Sequence, residues 1–124
     1  MQKHQELPQG FAGLGLNVQF LKALRKMQFV EPSEIQKQLI PAALSGRDLL
    51  GQARTGTGKT AAFGLPILQQ IDPGGRLQAI CMVPTRELAV QVTSELQRLA
   101  EFSGLHIVPV YGGQKVATQL HQLG

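Results

Sequence analysis

The sequence predicts an α/β domain, with a parallel sheet flanked by helices and a phosphate-binding loop at its first strand–helix junction. Three observations carry this. Apolar runs at 48–53, 77–83 and 105–111 each lead into a segment of helical character. The segments between them are long enough for right-handed crossovers joining parallel strands. Between the first run and its helix lies Ala53-Arg54-Thr55-Gly56-Thr57-Gly58-Lys59-Thr60, in the strand–loop–helix setting that a phosphate cradle needs. Gly56 and Gly58 let backbone N–H groups turn inward around an anion, and the next helix adds its positive N-terminal end. In such a loop Lys59 reaches the β- and γ-phosphates, and the Thr60 hydroxyl holds a Mg²⁺ ion bridging them. Ala53 stands where the common pattern has glycine, so the motif is the relaxed form. The competing reading is a glycine-rich turn that caps an ordinary helix.

Residues 1–10 are polar, end in Pro8-Gln9-Gly10 and read as a mobile tail. Asn17 caps a helix running to about Gln28, with Phe20, Leu21, Leu24 and Met27 at helical spacing. Lys22, Arg25 and Lys26 fall on its solvated face. Pro32 breaks the chain, and Ser33 opens a second helix from Glu34 to Leu44 that Pro41 should kink or tighten. Ser45-Gly46-Arg47 turns into the first strand, 48–53. The helix from Lys59 extends to about Gln70 and closes at Asp72-Pro73-Gly74-Gly75. A buried strand follows at 77–83. Thr85 then caps a helix whose Leu88, Ala89, Val92, Leu96 and Leu99 form one apolar face. The third strand, 105–111, contains Pro109, which suits an edge or irregular position. Gly112-Gly113 turns into a final helical start at 114–123.

At 124 residues and 43% apolar content the chain fits one small domain with a true core. Cys81, the single cysteine, has no partner for an intramolecular disulfide and is expected as a buried core thiol. No leader-like or membrane-length apolar stretch is visible, so a cytoplasmic protein without membrane contact is expected. A net charge of +4 suits a polyanionic partner without proving one. His4, His106 and His121 are scattered, with no ligand pattern for a protein-held metal.

Two other segments carry chemistry. In Phe29-x-x-Pro32-Ser33-Glu34-Ile35-Gln36, Gln36 sits at the third helical position after Ser33, so the pair forms a capping box. A carboxamide also pairs a donor with an acceptor, matching the N6 and N7 edge of adenine, and Phe29 offers a face for stacking a base. Both readings stand on the residues alone. Pro84-Thr85-Arg86-Glu87 lies at the C-terminal end of a predicted parallel strand, where ligands bind in doubly wound folds. Thr85, with the free N–H groups after it, forms either a plain N-cap or a phosphate seat charged by Arg86. Gly112 and Gly113 either make a simple turn or let a nucleic-acid backbone approach closely.

Taken together, these segments resemble the start of a DEAD-box RNA helicase. Phe11, Phe29 and Pro32-Ser33-Glu34-Ile35-Gln36 are similar to the adenine-sensing Q motif and its upstream aromatic. Residues 53–60 are similar to motif I, Pro84-Thr85-Arg86-Glu87-Leu88-Ala89 to motif Ia, and Gly112-Gly113 to the double-glycine element. Gln28 replaces the glycine usual before the aromatic, and Arg54 stands where glutamine is common. The resemblance implies a Q-motif helical segment at 11–47 and a partial RecA-like P-loop domain at 48–124, truncated before the strand of the acidic motif. It implies ATP or ADP with Mg²⁺ as ligands, bound by Phe29, Ser33, Gln36 and residues 53–60. Lys59 and Thr60 are its catalytic contributors here. RNA contacts are implied at Pro84, Thr85, Arg86, Glu87, Gly112 and Gly113.

The Asp-Glu-Ala-Asp sequence and the second RecA-like domain do not occur, so nucleotide binding without turnover is expected of the 124-residue chain. The resemblance also implies that missing strands lie between those of motifs I and Ia. A rearranged strand order or self-association through the incomplete sheet is then expected. Two alternatives remain: a helicase-like remodeller or DNA translocase, against most of which Gln36 argues, and a short non-catalytic nucleotide-binding module.

Overall fold

The computed structural model describes residues 6–52 and 58–111. Within them run helices α1 (Gln9–Ala12), α2 (Val18–Lys26), α3 (Glu34–Leu44), α4 (Lys59–Gln69) and α5 (Arg86–Leu99). The helix starts have local causes. Ser33 Oγ accepts from the Gln36 N–H at the head of α3, and Thr85 Oγ1 accepts from the Leu88 N–H at the head of α5. Each bond satisfies a donor that the first helical turn would otherwise leave open. Asn17 occupies the N-cap of α2 but caps nothing with its side chain. Its own backbone N–H donates instead to Gln69 Oε1, 2.7 Å away on α4. Pro41 is accommodated, and α3 continues through it to Leu44.

Helix α1 is too short to show a period, and the boundary expected at residue 10 falls inside it. Pro8 is buried before it, and Phe11 within it is fully buried. α4 lies at the centre, with α3 along one side and α5 along another. Gly64 permits the second contact: a Cβ there would stand 2.5 Å from Leu96 Cδ2. Phe11, Phe20, Leu24, Ile40, Leu65 and Leu99 fill the interior. Burying side chains of this size contributes roughly 1.5–3 kcal/mol each.

The expected sheet is not formed among the described residues: 48–52, 77–83 and 105–111 carry no regular structure. Val83, Leu105 and Ile107 still rest against the helical core. Other apolar residues of these segments face outward, with Leu50 93%, Leu77 71%, Ile80 75% and Met82 90% exposed. A strand is defined by the hydrogen bonds of the strands beside it. An apolar run supplies suitable side chains but no ladder. Two expectations are corrected as a result. Segment 77–83 is not buried, and Cys81 is exposed rather than a core thiol. Partial desolvation still raises the Cys81 thiol above its ordinary pKa. The helical start expected at 114–123 lies outside the described residues. Among the described residues no helix is long and apolar enough to cross a membrane.

Candidate nucleotide site

The heads of α3 and α4 meet at one buried side chain. Gln36 is 2% exposed, deep for a carboxamide. Its Oε1 accepts from the Ser33 N–H at 2.8 Å, completing the capping box that Ser33 Oγ opens. Its Nε2 donates across the helix boundary to the Gly58 carbonyl at 3.1 Å. That carbonyl also accepts from the Ala62 N–H at 3.1 Å, the first bond of α4, so both of its lone pairs are used. The two bonds of Gln36 run in opposite senses, which fixes the carboxamide orientation. Each leaves one capacity over: a second Nε2 hydrogen and a second Oε1 lone pair.

Gly58 is glycine for two reasons. Its φ of 81° lies in the left-handed region, where a side chain clashes with the backbone. A Cβ there would also fall 2.2 Å from Gln36 Nε2. The glycine therefore turns the chain into α4 and admits the carboxamide beside it. Lys59 follows it, exposed, and Thr60 is half-buried in the first turn. Ala53, Arg54, Thr55, Gly56 and Thr57 lie outside the described residues, as do Gly112 and Gly113.

Phe29 is held by the end of α2. Its N–H donates to the Leu24 carbonyl at 2.9 Å, and the Gln28 N–H donates to the Arg25 carbonyl at 3.0 Å. This is a Schellman termination, with Gln28 in the left-handed position at φ 66° where glycine is usual. The Phe11 ring meets the half-buried Phe29 ring edge-on, with centroids 6.0 Å apart. Pro84, Thr85, Arg86 and Glu87 all lie exposed at the head of α5. Among the described residues no cluster of histidine, cysteine or acidic side chains is able to hold a metal.

The structure thus joins Ser33, Gln36 and Gly58 directly and places Lys59 and Thr60 immediately after them. The Gly58 carbonyl as the partner of Gln36 has no sequence signal, because the bond spans 22 residues. Left-handed Gly58, within the Gly56-Thr57-Gly58-Lys59-Thr60 sequence, opens α4 with a buried carboxamide bonded to its carbonyl, the local arrangement with which a phosphate-loop domain begins its first helix. The profile of the DEAD/DEAH box helicase family matches residues 33–124. The chain belongs to that family.

Similar proteins include the DEAD-box ATP-dependent RNA helicase CshA of Bacillus subtilis, 45% identical over 114 residues. The RNA helicase CrhR of Synechocystis is 48% identical over 113 residues. Each alignment covers 91% of this chain, which spans only 23% of either relative's length. Among solved structures, a DEAD box protein from Methanococcus jannaschii superposes with a TM-score of 0.88 at 37% identity. It is matched over 92% of this chain and 32% of its own. Yeast Dbp5 bound to RNA and ADP BeF3 gives a TM-score of 0.76 at 36% identity, over 86% of this chain and 29% of its own.

Proposed function

We propose that this chain is the ATP-binding N-terminal part of an ATP-dependent RNA helicase that couples ATP binding and hydrolysis to RNA duplex unwinding. The carrying observation is Gln36, bonded at once to Ser33 and to Gly58 of the phosphate loop. A carboxamide held in one orientation presents a donor and an acceptor suited to adenine and not to guanine, whose O6 replaces the N6 amine. Phe29, backed by Phe11, supplies the stacking face. Residues 53–60 cradle the phosphates, and Lys59 contributes a charge-assisted contact to them. The exposed head of α5, with Thr85 and Arg86, suits an RNA phosphate, and Gly112 and Gly113 a close backbone approach.

Mg²⁺ fits this site as an ion carried in with the nucleotide. Thr60 offers one hydroxyl, and the described residues offer no acidic cluster that would hold the ion alone. When bound, Mg²⁺ neutralises charge developing on the phosphates. Hydrolysis further requires a group that orients water, a role the family resemblance gives to an Asp-Glu-Ala-Asp sequence that these 124 residues do not contain. Nucleotide binding without RNA-stimulated turnover is the outcome expected of them.

Calorimetric titration tests this reading. ADP and ATP should bind the wild type, and Lys59→Ala should weaken both by about 1.5–3 kcal/mol, the loss of one charge-assisted contact. Equal affinities in folded wild type and variant would remove Lys59 from the site. Appreciable turnover by protein of verified mass and free of contaminating ATPase would refute the division between binding and hydrolysis.

A further inference from the structure

At the far end of α4 from the phosphate loop, the Gln69 carboxamide makes two bonds to one turn of the chain. Its Nε2 donates to the Gly15 carbonyl at 2.8 Å, and its Oε1 accepts from the Asn17 N–H at 2.7 Å. Those partners lie 54 and 52 residues away in sequence. Gly15 has a φ of 97°, so the clamped turn already has a restricted conformation. The turn joins α1 to α2. α1 carries Phe11, and α2 ends in the Schellman turn that holds Phe29. At its other end α4 begins at Gly58 and Lys59.

We propose that Gln69 is a positioning residue for nucleotide binding, holding the Phe11–Phe29 shelf in register with Gly58 and Lys59 at the head of α4. The inference rests on the nucleotide reading above. Its mechanism is geometric. α4 runs unbroken from Lys59 to Gln69 through Gly64 and Pro66, and Gln69 ties its tail to the element carrying the aromatic shelf. A nucleotide that spans both places gains from their being fixed before it binds. A ligand that touches only the phosphate loop gains nothing from the clamp. Its neighbour Gln70 marks the contrast, since the Gln70 Nε2 donates back into α4, to the Pro66 carbonyl at 2.8 Å.

The test compares ADP with inorganic pyrophosphate by calorimetry on wild type, Gln69→Ala and Gln70→Ala, with circular dichroism confirming each fold. Gln69→Ala should weaken ADP binding about three- to tenfold, the scale of coupling through an intervening contact. Pyrophosphate binding should stay within about twofold, and Gln70→Ala should change neither. If Gln69→Ala does not fold, Gln69→Glu decides the matter. It keeps an acceptor for the Asn17 N–H and sets a carboxylate against the Gly15 carbonyl, so a selective loss of ADP affinity is again expected. Equal weakening of both ligands, or ADP binding unchanged in a folded variant, overturns the positioning role alone. Wild-type protein that binds ADP no more tightly than pyrophosphate overturns the base-binding reading and this role with it.

Discussion

Gln28→Gly should stabilise the protein, because Gln28 holds a conformation that glycine adopts without strain. With φ at 66°, it occupies the left-handed position of the Schellman turn closing α2. Both bonds of that turn are made, Phe29 N–H to Leu24 O at 2.9 Å and Gln28 N–H to Arg25 O at 3.0 Å. The geometry is therefore enforced, and the residue bears its cost. A Cβ in this region costs about 1–2 kcal/mol. Glycine returns roughly 0.5–1 kcal/mol of that through its greater freedom in the unfolded chain. The Gln28 side chain is exposed, so its loss removes no core packing. The net expectation is a gain of about 0.5–1 kcal/mol, which corresponds to roughly 2–8 °C in melting temperature for a domain of about this size. Thermal unfolding followed by circular dichroism, with refolding verified, measures it. A variant that melts at or below the wild-type temperature refutes the reasoning. So would Gln28→Val melting unchanged, since a β-branched residue tolerates this region worst.

Two further outcomes follow from packing and exposure. Gly64→Val should destabilise the chain by about 1–3 kcal/mol, because the new side chain meets Leu96 where even a Cβ is 2.5 Å away; chemical denaturation measures the loss, and an unchanged midpoint would refute the close approach of α4 and α5. The outward residues of 77–83 should recruit a second copy, as unpartnered apolar edges do. Light scattering should show association that grows with concentration, and a maleimide should label Cys81 fully in dilute protein but slowly in the associated form. A stable monomer with cooperative unfolding at high concentration would overturn this expectation.

The helices were legible because their signals are local. Ser33 and Thr85 announce α3 and α5, and each is followed by apolar residues at helical spacing. The capping box between Ser33 and Gln36 could be read from a three-residue interval. α1 was not legible, since four residues hold no period and Pro8-Gln9-Gly10 reads as the end of a mobile tail. Segment 77–83 was expected buried and is exposed, because hydrophobicity reports suitability for a sheet, whereas burial depends on which strands lie alongside. The contacts that organise the site are tertiary and leave no trace in spacing. Gln36 reaches Gly58, Gln69 reaches Gly15 and Asn17, and Phe11 meets Phe29 only once the chain has folded.

Adenine recognition by Gln36 is the claim on which the functional account turns, and the ratio of ADP to GDP affinity measures it. The wild type should favour ADP by about 1–3 kcal/mol, the discrimination expected of a bidentate carboxamide–adenine contact. Gln36→Ala, shown to be folded, should collapse that gap while still binding pyrophosphate, since the Ala62 N–H continues to hold the Gly58 carbonyl. Equal binding of ADP and GDP by the wild type, or a preference that survives the substitution, would contradict the account and leave Gln36 as a helix cap.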